Sequence, residues 1–199
     1  MGIRVQYQLV GADGFRECFL ADIKKFSEEI FPIMEEWPDD FPKMFKEKVL
    51  DIVERGAAAL ITSNIEEAEL IDEIVFEYWD LLHNEQNEYI SSPIKHYNYP
   101  GALSEVSPNC SNPASDYYQM LLFEGRTVVA CPDYSFKSPD GIFCLSWLYP
   151  HEIIELKTEI NSFEGILNGD ENAVLAVDLL LRALTKAEQS RCSLLVTIA

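Results

Sequence analysis

The sequence predicts an α+β protein, a mixed sheet of four to five strands with about five helices packed against it. Three observations carry this expectation. The chain opens on a period-2 alternation, with Ile3, Val5, Tyr7 and Leu9 on one face and Arg4, Gln6 and Gln8 on the other. It closes on "SLLVTIA", an apolar run suited to a buried strand. Between these ends lie several stretches in which apolar residues recur every three to four positions, the mark of amphipathic helices.

The elements follow in order. From Asp13 to Phe31, the residues Phe15, Phe19, Ile23, Phe26 and Ile30 mark a helix, which Pro32 is expected to end because it lacks an amide donor. "EEWPDDFP" reads as a loop. A second helix is expected from near Asp40, carrying Phe41, Met44, Phe45, Val49, Ile52 and Val53, with Gly56 at its C-terminus. "SNIE" at 63–66 forms a capping box and starts a third helix. Residues 90–116 hold four prolines and no clear period, so they read as a long loop. "YYQMLLFEGRTVVACP" is expected to be a hairpin turning at Glu124-Gly125, and "GIFCLSWLY" a further strand. Pro150 opens a helix at its favoured first position. "ENAVLAVDLLLRALTKAEQ" is the last helix before the closing strand. No linker divides this pattern, so a single domain, 1–199, is expected. The first and last strands should share one sheet.

Charge narrows function. The chain has 199 residues, 34 of them acidic and 15 basic, for a net charge of −19. Such a surface repels phosphate backbones and anionic membranes, which argues against nucleic-acid and membrane partners and in favour of a basic protein partner. The N-terminus lacks the apolar run of a signal peptide, and no stretch approaches a membrane span, so a cytoplasmic location is expected. The five cysteines, at 18, 110, 131, 144 and 192, show no zinc or disulfide spacing. Cys18, Cys131, Cys144 and Cys192 have apolar neighbours and read as buried reduced thiols.

The strongest single feature is the third helix. Residues 64–89 hold nine carboxylates and no lysine or arginine. On a 3.6-residue wheel, Ala68, Ile71, Ile74, Val75, Tyr78, Trp79 and Leu82 form an apolar face. Glu66, Glu69, Glu73, Glu77 and Asp80 line the opposite side and are the candidate partner-binding residues. Catalytic motifs are absent. "HEIIE" at 151–155 lacks the second histidine of a zinc protease, and no glycine-rich phosphate loop, EF-hand or nucleophile elbow occurs. No cofactor and no metal are therefore expected. The function these features support is an acidic cytosolic interaction domain, of immunity or inhibitor type, that binds a basic protein. The alternative is an enzyme of unknown class with its site in the 90–116 loop, where His96, Cys110, Tyr97 and Tyr99 would supply the chemistry.

Both ends of the chain resemble one family. "MGIRVQYQLV" is similar to the opening strand, and "VDLLLRALTKAEQSRCSLLVTIA" to the closing helix and strand, of the YfbM-like family of bacterial proteins. The resemblance implies a bacterial cytosolic α+β protein and assigns no functional residue.

Overall fold

The computed structural model describes residues 5–84, 89–91, 114–137, 144–161 and 171–198. The chain sorts into two compact units that interleave in sequence. One comprises Met1–Phe15, Glu88–Arg126 and Asp140–Ala199; the other comprises Arg16–Asn87 and Thr127–Pro139.

The first unit is built on an antiparallel sheet. Strand β1 (Val5–Val10) pairs on one side with β4 (Ser193–Ile198), Tyr7 facing Val196, and on the other with the three-residue β2 (Tyr89–Ser91). Strand β3 (Cys144–Leu148) pairs with the far side of β4, Ser146 facing Val196. The first and last strands thus share a sheet, as their apolar faces require. Val5, Tyr7, Cys144, Leu148, Leu194, Val196 and Ile198 turn one sheet face onto three helices: α4 (Ala114–Gln119), α5 (Pro150–Asn161) and α6 (Glu171–Ser190). Burial of this continuous apolar surface is the main stabilising term of the unit, at ~25 cal/mol per Å². Arg191 adopts a left-handed conformation, φ 54°, and the amide of Cys192 closes on the Ala187 carbonyl at 3.0 Å. That stop reverses the chain from α6 into β4. Arg126 pins the region beside β3. Its guanidinium makes two bonds to Glu152, of 2.7 and 3.2 Å, one to the Trp147 carbonyl, and lies over the Trp147 and Tyr149 rings.

The second unit is helical. Helix α1 (Phe15–Glu36) belongs to it from Arg16 onward, with α2 (Phe45–Arg55), α3 (Ile65–Trp79) and the returning segment 127–137. Its core joins Phe19, Phe26 and Ile30 of α1, Phe45 and Ile52 of α2, and Ile71, Ile74, Val75 and Tyr78 of α3. The Tyr78 ring meets Phe19 and Phe26 edge-on at 5.1 and 5.9 Å, and its hydroxyl donates to Asp22 at 3.2 Å.

Several expectations need correction. The sheet is not mixed and does not have four to five full strands. It is wholly antiparallel and rests on three strands, β1, β4 and β3, with only the short Tyr89–Ser91 along one edge. The described residues form six helices rather than about five, and α2 and α3 belong to the other unit. The expected hairpin at 117–132 is the main error. Ala114, Tyr118, Leu121 and Leu122 are buried at helical spacing, and α4 continues into a wider π-helical turn, Met120–Glu124. A short apolar run rich in aromatics fits strand or helix equally, and packing of one helical face onto the sheet decided it. Gly125, at φ 78°, ends that turn instead of forming a hairpin.

Helix α1 runs through Pro32 to Glu36. Helix α2 starts at Phe45 rather than near Asp40, after a 3₁₀ turn at Pro38–Asp40. Asn64, not Ser63, caps α3, its side chain accepting the Glu66 amide at 2.9 Å. Among the described cysteines, only Cys144 is buried, its thiol pushed up to about 12 by burial; Cys18, Cys131 and Cys192 are half-buried, and none of the four is in a disulfide.

Candidate interaction surface

Helix α3 presents carboxylates to two very different surroundings. The apolar stripe expected from the sequence is buried as read, from Ala68 through Ile71, Ile74, Val75, Tyr78 and Trp79 to Leu82. Of the five expected binding carboxylates, Glu66, Glu73 and Asp80 are exposed, whereas Glu69 and Glu77 are half-buried. Glu69 pairs with Lys137. Among the described residues, no lysine or arginine pairs with Glu66, Glu73 or Glu77. Partial desolvation, then the Glu69 charge, raises the Glu73 carboxyl above its ordinary range. Desolvation, then the charges of Asp80 and Glu73, does the same to Glu77. A row of like charges at helical spacing is therefore held together with little internal compensation.

Two further acids of α3 are held by partners within the unit, the buried Asp72 and the half-buried Glu67. Asp72 is only 3% exposed. Its two oxygens accept from Thr127 at 2.6 Å and from Tyr134 at 2.7 Å, so it anchors the returning segment 127–137 to the helix. Backbone bonds between Ala130 and both Leu60 and Thr62 fix the same segment. Burial raises the Asp72 carboxyl to about 6, against the pull of the hydrogen bonds from Thr127, Tyr134 and the Lys137 backbone. The carboxylate in turn raises the Tyr134 phenol, after burial itself.

Glu67 faces Lys48, a lysine 7% exposed, at 2.6 Å, and also accepts from Thr62. Lys48 spends its other two protons on Asp51, at 2.9 Å, and on the Ala59 carbonyl, at 3.0 Å. Arg55 adds a second cation on Asp51. The bond from Lys48, then that from Thr62, holds Glu67 below its ordinary range. Lys48, and after it Arg55, does the same for Asp51 despite partial burial. Beside this network lies an open groove of about 430 Å³, lined by Met44, Glu47, Lys48, Asp51, Asn64, Glu66, Glu67 and Leu70.

Sequence reasoning missed Asp72, Glu67, Lys48, Thr127 and Tyr134. A signal existed for two of them. Asp72 lies on the apolar spacing of Ala68, Val75 and Trp79, and Lys48 on that of Phe45 and Ile52. A charge on a core-facing stripe must find partners when it folds. The alternative site, His96, Cys110, Tyr97 and Tyr99, lies outside the described residues. No group of three His, Cys, Asp or Glu among the described residues is arranged to hold a metal. No helix among them is long and apolar enough to cross a membrane. No protein-family model, curated protein or solved structure matches the chain.

Proposed function

We propose that this chain is an acidic interaction protein whose helical unit docks a basic protein, in the manner of an immunity protein or inhibitor. One observation carries the reading: Glu66, Glu73 and Glu77 have no cation among the described residues, while the carboxylates beside them that face the fold are neutralised or hydrogen-bonded. The larger share of the net charge also lies in this unit. A field of one sign speeds encounter with an oppositely charged partner and disfavours nucleic acid. The resemblance of the chain ends to the YfbM-like family belongs to the same proposal and adds a bacterial cytosol as the setting. Its segments fall in the sheet unit, so it bears on the scaffold rather than on the acidic row.

Paired baits test the reading in an extract of the source cell, one wild type and one carrying Glu66→Gln, Glu73→Gln and Glu77→Gln. A basic protein retained by the first, released by salt and absent from the second, is expected. Equal retention on both, or no basic protein on either, would overturn it.

A further inference from the structure

The groove beside Lys48 says more about the partner. Resting on the interaction reading above, we infer that this groove seats a long cationic side chain, lysine or arginine, from an amphipathic segment of the basic protein. Two of its lining residues are apolar: Met44, 61% exposed, and the half-buried Leu70. Glu47 and Glu66 also line it, both exposed and without a cationic partner among the described residues. Its interior charges are already satisfied, because Lys48 ties Asp51 to Glu67 and Arg55 adds to Asp51. The site therefore combines exposed carbon surface with two uncompensated carboxylates.

That pattern complements a side chain with an aliphatic stem and a charged head. The stem lies against Met44 and Leu70, and the head reaches Glu47 and Glu66. An anionic or neutral apolar ligand would leave these acids desolvated without a partner. A purely ionic contact would leave Met44 in water. Methionine is unbranched and polarizable, so an exposed one adapts to the shape of whatever stem enters. The volume lies in the usual range for small-ligand pockets, enough for a long side chain. The net charge of −19 supplies the long-range complementarity.

Two labelled peptides test this by fluorescence anisotropy at physiological salt. One carries lysines and leucines on opposite faces of a helix; the other has equal length and charge, with serine in place of leucine. Wild-type protein should prefer the lysine–leucine peptide. Glu47→Gln with Glu66→Gln should weaken that binding by about tenfold, the scale of one good contact. Met44→Ser should abolish the preference between the two peptides. Glu73→Gln with Glu77→Gln should slow association of both peptides but keep the preference. All these positions lie at or near the surface, and circular dichroism confirms that each variant is folded. Loss of binding in the Glu73/Glu77 variant alone would sink the groove inference while leaving the acidic-surface reading standing. No effect from either pair of substitutions would sink both. A preference that survives Met44→Ser would also overturn the groove inference.

Discussion

Helix α3 carries two kinds of carboxylate: Asp72, Glu67 and Glu69 are held by partners, whereas Glu66, Glu73 and Glu77 meet no cation among the described residues. On the inner side, Asp72 accepts two hydroxyls and Glu67 meets a lysine and a threonine. On the outer side, Glu66 and Glu73 face solvent. The same residue types on one helix thus do two different things. The inner acids tie distant segments of chain to the helix, Thr127 and Tyr134 lying more than fifty residues beyond Asp72. Of the outer acids, Glu66, Glu73 and Glu77 form no ion pair among the described residues, whereas Glu69 meets Lys137. Net charge hides this division, and only the list of partners separates structure from surface.

The inner side should break first. Replacing Asp72 with alanine leaves the hydroxyls of Thr127 and Tyr134 without their acceptor and opens a gap under the segment 127–137. A stranded buried donor costs about 1–3 kcal/mol; these two are half-buried and the lost acid adds its own packing, so a loss of about 2–3 kcal/mol is expected in urea unfolding. Lys48→Met should follow, at about 2–3 kcal/mol, because it strands the Ala59 carbonyl and leaves Glu67 and Asp51 facing each other. That value sits below the range for fully buried pairs because both acids are partly solvated. A change under 0.5 kcal/mol in either variant would mean that the inner contacts are as dispensable as the outer row.

Acid–base behaviour sharpens the contrast, and the signs differ within the inner set. The Asp72 carboxyl stands at about 6 in the fold, against an ordinary value of 3.8. Between those values, the folded chain keeps a proton that the unfolded chain has released. The stability this contributes is fully present below pH 3.8 and lost as pH rises through about 6. Glu67 and Asp51 are lowered, so their contribution is present at neutral pH and lost on acidification. Asp72→Asn removes only the first effect. The stability of this variant relative to wild type should therefore improve on going from pH 4 to pH 7, by on the order of 2–3 kcal/mol. The contributions of Glu67 and Asp51 cancel in that difference. A pH-independent difference would show that Asp72 does not titrate in this range.

These contrasts also explain what could be read in advance. The apolar stripe of α3 and the presence of the first and last strands in one sheet were legible, because the stripe follows a period of 3.6 and each strand has an apolar face that burial must cover. The segment 114–124 was not. Tyr117, Tyr118, Leu121 and Leu122 fit either period, and only the sheet beneath could choose. The outer carboxylates were legible as a row. The inner ones were not, because Asp72 acquires its partners from residues 127 and 134 and Lys48 acquires Glu67 from another helix. Local spacing shows that a charge lies on a buried stripe; it does not show which distant hydroxyl or lysine will meet it.

The smallest expected effect tests the outer side directly. Glu66→Gln, Glu73→Gln and Glu77→Gln together remove no ion pair among the described residues and leave Glu69 with Lys137. They relieve like-charge contacts at i,i+4, Glu73 with both Glu69 and Glu77, each unfavourable by about 0.2–0.5 kcal/mol in isolated helices. Against that gain, glutamine at 66 gives up a favourable interaction of similar size with the helix N-terminus. The net change should stay within about 0.5 kcal/mol at low salt, with any gain fading as salt screens the row over a Debye length of ~8 Å or less. Urea midpoints measured across a salt series read both parts. A loss above 1 kcal/mol would show that the row holds native structure, and the division between the two kinds of carboxylate on α3 would fail. An unchanged midpoint would leave those three carboxylates without a role in the fold, which is what an interaction surface requires.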